Sequence, residues 1–589
     1  MFVSLTLKHS FAACYRYIMK KRILLFLTAC TAGLFMNAQQ ADKNLFISPL
    51  KETPSLSASF AELRADHFHS GLDYKTGGVI GKEVSAVAEG YIYRISISPS
   101  GFGKAVYVRH SSGYSTVYGH LDRFRPDIEE YIKNGQYGQK SYTITLYPTR
   151  DQFRVNQGDL IAWSGNTGGS SGPHLHFEIR ESATENPVNP LNFDFGVADK
   201  TRPVIDRVVI YPLSTGSSVN SSHSPLSLKT SGQGGRFGLV SQPPLIVYGA
   251  IGIGIKTWDS FDNSQNRCGI YSIELLADSV KIYGFTAKRF SFSESRYINS
   301  HTDYRARIRN NEYIHKTFLQ PGNRLSMYTG VIRRGVLRFN DDKVHQITVN
   351  VTDAAGNKSQ LNFSLKSLTT PPVKAAEVKC SKVLPWRKAS DFTADGIRIH
   401  FPDLAFYDTV FFNYGVRSGG VKYLSPVHTV HDETVAVHDL IRISIRPDTV
   451  LYGQEAKMCL ARVSRDGKKI YAGGDFRYGF VSAEVRALGD YTVSADTSAP
   501  KVLPSFAKGS DLRGRKSCSV TITDDFSGIR TYETLIDGSW ALTEYDAKNN
   551  LLIYRFDSTR IKQGILHRME LIVSDNRGNT TTLKTDFTW

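Results

Sequence analysis

Four histidines and one aspartate in the first third of the chain have the types and spacings from which a hydrolytic metal centre can be built. His174 and His176 are two apart, in Gly165-Asn166-Thr167-Gly168-Gly169-Ser170-Ser171-Gly172-Pro173-His174-Leu175-His176-Phe177-Glu178. Alternate residues of a strand share a face, so both imidazoles can enter one site while Leu175 and Phe177 pack behind it. Neutral imidazole is the commonest metal-binding side chain. His69-Ser70-Gly71-Leu72-Asp73 can add a nitrogen and an oxygen, with Gly71 allowing a tight backbone between them. Two histidines and one carboxylate make a three-ligand set. Structural zinc sites usually take four protein ligands and often cysteine, whereas three ligands leave a position open to water. Zinc lowers the pKa of such a water to about 7 and can polarise a scissile carbonyl. A further histidine, His120, stands in Tyr118-Gly119-His120-Leu121.

Any one of these motifs alone says little, since an isolated HxH on a strand is usually an ordinary surface or core pair. All three, in this order, make chance a poor explanation. Together they resemble the lysostaphin-type (LytM-like) zinc metalloendopeptidases, peptidoglycan hydrolases with a duplicated hybrid motif. Their pattern is HxGxD, then YxHL, then HxH after a glycine-rich turn. The resemblance spans residues 61–197, about a quarter of the chain. It implies a compact antiparallel β-domain with a groove over the zinc. It also implies that His69, Asp73 and His176 are the zinc ligands. His120 and His174 become the catalytic pair, activating water and stabilising the oxyanion. The implied reaction is hydrolysis of peptide bonds in peptidoglycan cross-links. No ligand of the pattern is missing, so activity is expected. His67-Phe68-His69 also reads as HxH, but Gly71 and Asp73 downstream select His69 and leave His67 as a neighbour of the site.

The elements that must position these residues are short strands, expected at Val84–Ser98, Ala105–His110, Tyr114–Tyr118, Leu160–Trp163 and His174–Arg180, punctuated by Gly and Ser. Residues 123–155 form an insertion between two motif-bearing segments. It holds a helix from Pro126 to Gly135, with proline in the first turn and acids near the start, then a strand over Ser141–Tyr147. It is either surface decoration or a lid or wall that narrows the groove.

Beyond residue 200 the texture remains β, so the expected fold class is all-β: a zinc peptidase domain followed by several β-sandwich modules. Two segments look alike. One runs from Trp258-Asp259-Ser260 through Gly269-Ile270-Tyr271 to Val351-Thr352-Asp353-Ala354-Ala355-Gly356-Asn357. The other runs from Ile522-Thr523-Asp524-Asp525 through Gly528-Ile529-Arg530 to Val573-Ser574-Asp575-Asn576-Arg577-Gly578-Asn579. They resemble immunoglobulin-like modules. The expected organisation is a peptidase domain over 61–197, an Ig-like domain over 198–368, a β domain over 369–496 and a second Ig-like domain over 497–589, with residues 39–60 as an arm. Ser214–Gly235 reads as a flexible loop. The D-x-x-G-N turns carry too few carboxylates for an EF-hand. His428, His431, Asp432, Glu433 and His438 match no metal spacing and read as polar strand and turn residues. Asn350-Val351-Thr352 fits a glycosylation pattern but lies in an expected strand and receives no role.

The composition fits folded protein: of 589 residues, 41% are hydrophobic and 22% charged. Tyr (30) and Phe (32) are abundant, which favours strands. The net charge of +17 favours anionic partners such as cell-wall polymers or lipid headgroups. No zinc finger or helix-turn-helix pattern speaks for nucleic acid. Met19-Lys20-Lys21-Arg22, the apolar run Ile23 to Met36 and Asn37-Ala38 read as a signal peptide over 1–38, with 1–18 an upstream extension. Leu27-Thr28-Ala29-Cys30 also fits a lipoprotein box, the one route to membrane attachment. Export places the protein in the periplasm or cell envelope. It permits disulfides, and Cys380 with Cys459 is one available pairing. Peptidoglycan is the expected partner, with an envelope protein as a further candidate for the C-terminal modules. Two other functions fit the same residues: an adaptor that regulates another hydrolase, and a peptidase acting on envelope proteins.

Overall fold

The computed structural model describes residues 45–241, 244–262 and 264–589. The signal peptide and the Cys30 box lie outside the described residues. In chain order the N-terminal region contains β1 (Leu56–Ala58), β2 (Leu72–Lys75), β3 (Glu83–Ser85), β4 (Gly90–Ile97), β5 (Lys104–Arg109), β6 (Tyr114–Gly119) and β7 (Leu121–Phe124). Then follow α1 (Pro126–Gln139), β8 (Ile144–Leu146), β9 (Arg154–Val155), β10 (Leu160–Ser164), β11 (His174–Glu181) and β12 (Pro187–Val188). The main sheet has the order β1-β2-β11-β6-β5-β4-β8, with β12 beside β11 and β9 beside β4; β3-β10-β7 form a second sheet. The pairs that carry the motifs are antiparallel. Ile92, Val106 and Phe177 of the main sheet share one core with Val84, Leu121 and Ile161 of the second. Burying a side chain of this size contributes about 1.5–3 kcal/mol, so these contacts hold the two sheets face to face.

Several expectations are corrected. The single strand expected over Val84–Ser98 is two strands in different sheets, because the chain turns before Gly90, where a side chain would collide with the Arg109 carbonyl. The arm is not separate from the domain: Phe46, Leu50 and Leu56 lie in the same core and β1 extends the main sheet. The helix passes Gly135 and ends at Lys140, whose left-handed conformation (φ 47°) terminates it. Gly135 faces Ile144 and Leu146, so its lack of a side chain lets α1 lie close to β8. The insertion is packed into the domain and is not loose surface decoration. Ile128 and Ile132 are buried, and β8 and β9 add to the free edge of β4.

Three further β regions follow. The first has Val204–Pro212 and Ile251–Trp258 on one side and Ser272–Ala277, Val344–Thr352 and Lys358–Ser367 on the other, sharing one core. Its expected flexible loop Ser214–Gly235 instead contains the whole strand Leu226–Gln233, paired to Val204–Pro212, with Leu226 and Leu228 leaning on that core. The second region packs two five-stranded sheets around Phe401, Ile443, Leu460 and Tyr491. The third packs Ser517–Thr523 and Leu551–Arg555 against Leu566–Asp575 and Thr580–Thr588. Cys268, Cys380, Cys459 and Cys518 are all unpaired. Cys459 is buried inside the strand Met458–Val463 while Cys380 is half-buried outside any strand, so the Cys380–Cys459 pairing is not formed. Among the described residues no helix is long and apolar enough to cross a membrane.

The third region folds back onto the N-terminal domain. Trp540 meets Tyr137 of α1 edge-on at 5.2 Å, and the Arg560 guanidinium lies 4.0 Å over the same tyrosine ring. Lys133 pairs with Asp557, and Lys104 lies 3.5 Å from Glu544. Lys104, Lys133, Glu544 and Arg560 line a cleft of about 930 Å³ that also takes in Asp122, two residues past His120.

Candidate metal centre

The HxH strand sits between the two elements that carry the other motifs. In β11, His176 is directly opposite Asp73 of β2 on one side and Gly119 of β6 on the other. Leu175 and Phe177 point into the core and are fully buried. A Cβ at Gly71 would fall on the Phe177 carbonyl, so glycine is required for β2 to lie against β11 between His69 and Asp73. His120 stands at the corner from β6 to β7 with φ 58°, a left-handed conformation that costs a non-glycine residue energy. That corner turns its ring toward His174, with ring centroids 4.7 Å apart.

Three ligand atoms converge. His69 Nε2 is 3.1 Å from Asp73 Oδ1 and 3.1 Å from His176 Nδ1, and His176 Nδ1 is 2.9 Å from Asp73 Oδ1. The far side of each ring is already committed. His69 donates from Nδ1 to the Ser59 carbonyl at 2.8 Å, and His176 donates from Nε2 to Glu178 Oε1 at 3.0 Å. In neutral rings this leaves both inward nitrogens as lone pairs facing a carboxylate oxygen, an arrangement that calls for a cation. Bonds of about 2.0–2.1 Å at tetrahedral angles separate ligand atoms by about 3.3 Å, so the triangle fits a zinc-sized ion after a small expansion. His69, Asp73 and His176 are all buried.

The electrostatics point the same way. Burial would raise the Asp73 carboxyl, but His69, His174 and His176 outweigh it and hold the group well below the usual carboxylate range. Burial would lower His176, but the carboxylates of Asp73 and Glu178, which accept hydrogen bonds from the charged ring, lift it to about 9, so this position draws positive charge. Burial, with His176 and His174 beside it, pushes His120 down to about 3 and keeps that imidazole neutral. His120 donates from Nδ1 to the Thr167 carbonyl at 2.8 Å, and His174 donates from Nδ1 to the Gly172 carbonyl at 2.8 Å. Both rings therefore present Nε2 to the site, and that of His174 lies 3.5 Å from Asp73 Oδ1.

Several residues at the centre are not among those the motifs single out. Glu178 is fully buried; it accepts from His176, from the Ser70 hydroxyl and, at 2.6 Å, from Arg180 Nε. The period of two along β11 carries this signal, since His174, His176 and Glu178 alternate on one face. Phe102 stacks on His176 at 5.0 Å, and Arg64 Nη2 lies 3.6 Å from Asp73 Oδ2. Lys548, from the far end of the chain, donates to the carbonyls of Asn166 and Ser170 in the loop that leads to His174. No sequence pattern announces that contact. His67 is exposed and paired with Asp66 at 2.8 Å, outside the cluster. The second histidine group does not converge. His428 pairs with Tyr414, His438 with Tyr407, Asp432 with Arg305 and Arg309, and Glu433 with Arg465.

The profile of Peptidase family M23 matches residues 67–142 and 139–190, and that of a Zu5-like domain matches 381–496. A DD-carboxypeptidase/endopeptidase Mpg of Neisseria meningitidis is 33% identical over 124 residues, 21% of this chain and 22% of the relative. Peptidoglycan DD-endopeptidase ShyC of Vibrio cholerae is 33% identical over 111 residues, 19% of this chain and 20% of the relative. The chain thus spans about a fifth of the length of the curated relatives it matches. Among solved structures, the catalytic domain of lysostaphin from Staphylococcus simulans aligns at 22% identity, covering 23% of this chain and 90% of that one, with a TM-score of 0.18.

Proposed function

We propose, on the premise that residues 67–190 are a domain of peptidase family M23, that this protein is an exported zinc metalloendopeptidase that hydrolyses peptide bonds in peptidoglycan cross-links. The observation that carries the reading is the convergence of His69 Nε2, His176 Nδ1 and Asp73 Oδ1 within 3.1 Å of one another, each ring tied back from its far side. Those three residues would hold the zinc. When bound, zinc supplies Lewis-acid polarisation of a carbonyl and acidifies water. The remaining work belongs to the chain. His120 and His174 present Nε2 atoms from rings that carbonyls lock in orientation. A neutral imidazole there takes the proton of the attacking water and returns it to the leaving amine. The protonated ring donates a hydrogen bond to the carbonyl oxygen as charge develops on it. Glu178, clamped by Arg180 and Ser70, keeps His176 in the tautomer that aims Nδ1 inward.

The substrate class rests on the names of two relatives, a DD-carboxypeptidase/endopeptidase and a peptidoglycan DD-endopeptidase, and on a net charge of +17 suited to an anionic envelope. Export rests on the signal-peptide pattern that ends at Ala38. The test uses protein starting at residue 39 with intact sacculi, comparing zinc-loaded, chelated and His120→Ala samples. Release of cross-link-cleaved fragments by the zinc-loaded wild type alone is expected. Equal release by all three samples, or none by zinc-loaded wild type, overturns the reading.

A further inference from the structure

The two look-alike segments each end in V-[ST]-D-x-x-G-N, and the structure brings two more aspartates to each of those turns. In the first β region they are Asp259, just past the strand Ile251–Trp258, and Asp199, in the linker that leaves the peptidase domain. Carboxylate oxygens of Asp199, Asp259 and Asp353 lie within 4.8 Å of one another. In the last region the same construction joins Asp496, Asp524 and Asp575 within 4.8 Å. The linkers repeat as well: Ala198-Asp199-Lys200-Thr201-Arg202-Pro203 and Ala495-Asp496-Thr497-Ser498-Ala499-Pro500 share A-D-x-[ST]-x-P.

The correspondence extends to atoms. Asn357 Nδ2 donates to the Asp199 carbonyl at 3.2 Å and to Asp353 Oδ2 at 2.7 Å. Asn579 Nδ2 donates to the Asp496 carbonyl at 2.9 Å and to Asp575 Oδ2 at 2.7 Å. Ser359 donates to the Pro203 carbonyl at 2.6 Å and Thr581 to the Pro500 carbonyl at 2.5 Å. Each linker is therefore stitched to its turn in the same way, and the stitch delivers an aspartate to a fixed place.

The charge of the first triad is not balanced by protein. None of its members forms an ion pair among the described residues. Asp259 is only 3% exposed, and its Oδ1 is walled off from solvent with no hydrogen-bond donor. A buried carboxylate oxygen without a partner is costly, and two more carboxylates beside it add repulsion. Burial, with Asp199 and Asp353 near, pushes the Asp259 carboxyl up to about 8. Burial and Asp353 likewise push Asp199 up to about 7. In the second triad Asp524 Oδ1 is also buried without a partner.

We propose that Asp199, Asp259 and Asp353 form a binding site for a hard divalent cation, of which calcium is the fitting member, at the joint between the peptidase domain and the first β region. All-oxygen donors with net negative charge select calcium-class ions over zinc or copper, and the remaining positions of calcium's six to eight are open to carbonyls and water. Asp496, Asp524 and Asp575 repeat the constellation where the Zu5-like segment ends and the last region begins. A cation at the first joint ties the linker residue Asp199 to two strand ends. It thereby fixes the peptidase domain to the β region without taking part in its chemistry.

The test is calorimetric titration of the zinc-loaded full chain with calcium chloride, beside the Asp259→Asn and Asp524→Asn variants and with thermal unfolding in parallel. Calcium is expected to bind with a Kd of about 0.1–1 mM, the range of extracellular modules. At 10 mM it should raise the unfolding midpoint by a few degrees. Asp259→Asn should lower the stoichiometry by one ion and abolish most of the upshift. Asp524→Asn should leave the Asp199–Asp259–Asp353 ion in place. Absence of calcium uptake by the wild type up to 10 mM overturns the proposal whatever the variants do, and so does an unchanged stoichiometry in a folded Asp259→Asn protein.

Discussion

The His69–Asp73–His176 centre and the acidic triad at the exit of its domain are both clusters of three metal-competent side chains, the first buried and the second buried but for the half-buried Asp199, yet they are built on opposite plans. At the centre, two of the three ligand atoms are imidazole nitrogens, and each ring is held from behind by an acceptor, Ser59 or Glu178. At the triad every donor is a carboxylate oxygen, and the holding groups are turn amides and the Asn357 side chain. Nitrogen ligands with fixed tautomers suit zinc and leave room for a reacting molecule; an oxygen cage suits a larger, harder ion. Position differs accordingly. The first cluster lies across adjacent strands of one sheet, where register fixes His176 beside Asp73. The second lies where a linker meets two strand ends, where an ion can brace a joint. On the proposed reading, one chain uses ligand chemistry to separate a reacting metal from a structural one.

The largest effect that would break this comparison comes from the peptidase side. His176→Ala should lose stoichiometric zinc and reduce cross-link cleavage by on the order of a thousandfold or more, since metal and water activation go together. Calcium uptake should be untouched. Elemental analysis and sacculus digestion on the same preparation check both halves, and a variant that kept its zinc would remove His176 from the ligand set. Glu178→Gln should act one step back. It removes the anion that orients His176 and leaves a single acceptor oxygen where His176 and Arg180 each had one. Loss of such a supporting partner typically weakens metal binding by about 10–100-fold, measurable by competition with a chromophoric chelator. Wild-type affinity in Glu178→Gln would mean that Glu178 only fills space. A smaller and opposite effect is expected of Asp259→Asn. Its kcat on a short soluble cross-link peptide should stay within about twofold of wild type when zinc is saturating, because no catalytic side chain touches the triad.

The two plans also differ in how far the amino-acid sequence alone reveals them. The HxGxD, YxHL and HxH motifs are legible because their geometry is local: a period of two puts His174 and His176 on one face, and a glycine fits between His69 and Asp73. Glu178 is legible by the same period, being the next residue on that face. The acidic triads are not. Each half of the information is visible, the D-x-x-G-N turn and the A-D-x-[ST]-x-P linker, but Asp199 and Asp353 are far apart in sequence and only tertiary closure joins them. The turn alone has too few carboxylates to suggest an ion. The insertion shows the same limit. The i, i+4 spacing of Ile128 and Ile132 announces a buried face, but nothing local says that the face belongs to the catalytic core, or that Tyr137 on the same helix meets Trp540 from the last region.

A second contact from the last region frames the final prediction. The loop from Gly165 to Pro173 positions His174, and two of its carbonyls, Asn166 and Ser170, accept from the Lys548 ammonium of the last region. Thr167 in the same loop orients His120. The loop therefore holds both His120 and His174, and an exposed lysine braces it from outside. A charged donor on carbonyls contributes about 1.5–3 kcal/mol when buried and less where water competes, so Lys548→Ala should unfold little of the molecule. It should instead loosen the histidine pair while leaving His69, Asp73 and His176 in place. The expected result is roughly a two- to fivefold fall in kcat, by the order of magnitude a weakened positioning contact carries, with zinc affinity unchanged. Lys548→Arg should restore part of the loss. A rate equal to wild type would show that the loop stands without its brace, and a faster enzyme would show that the last region restrains the groove instead of supporting it.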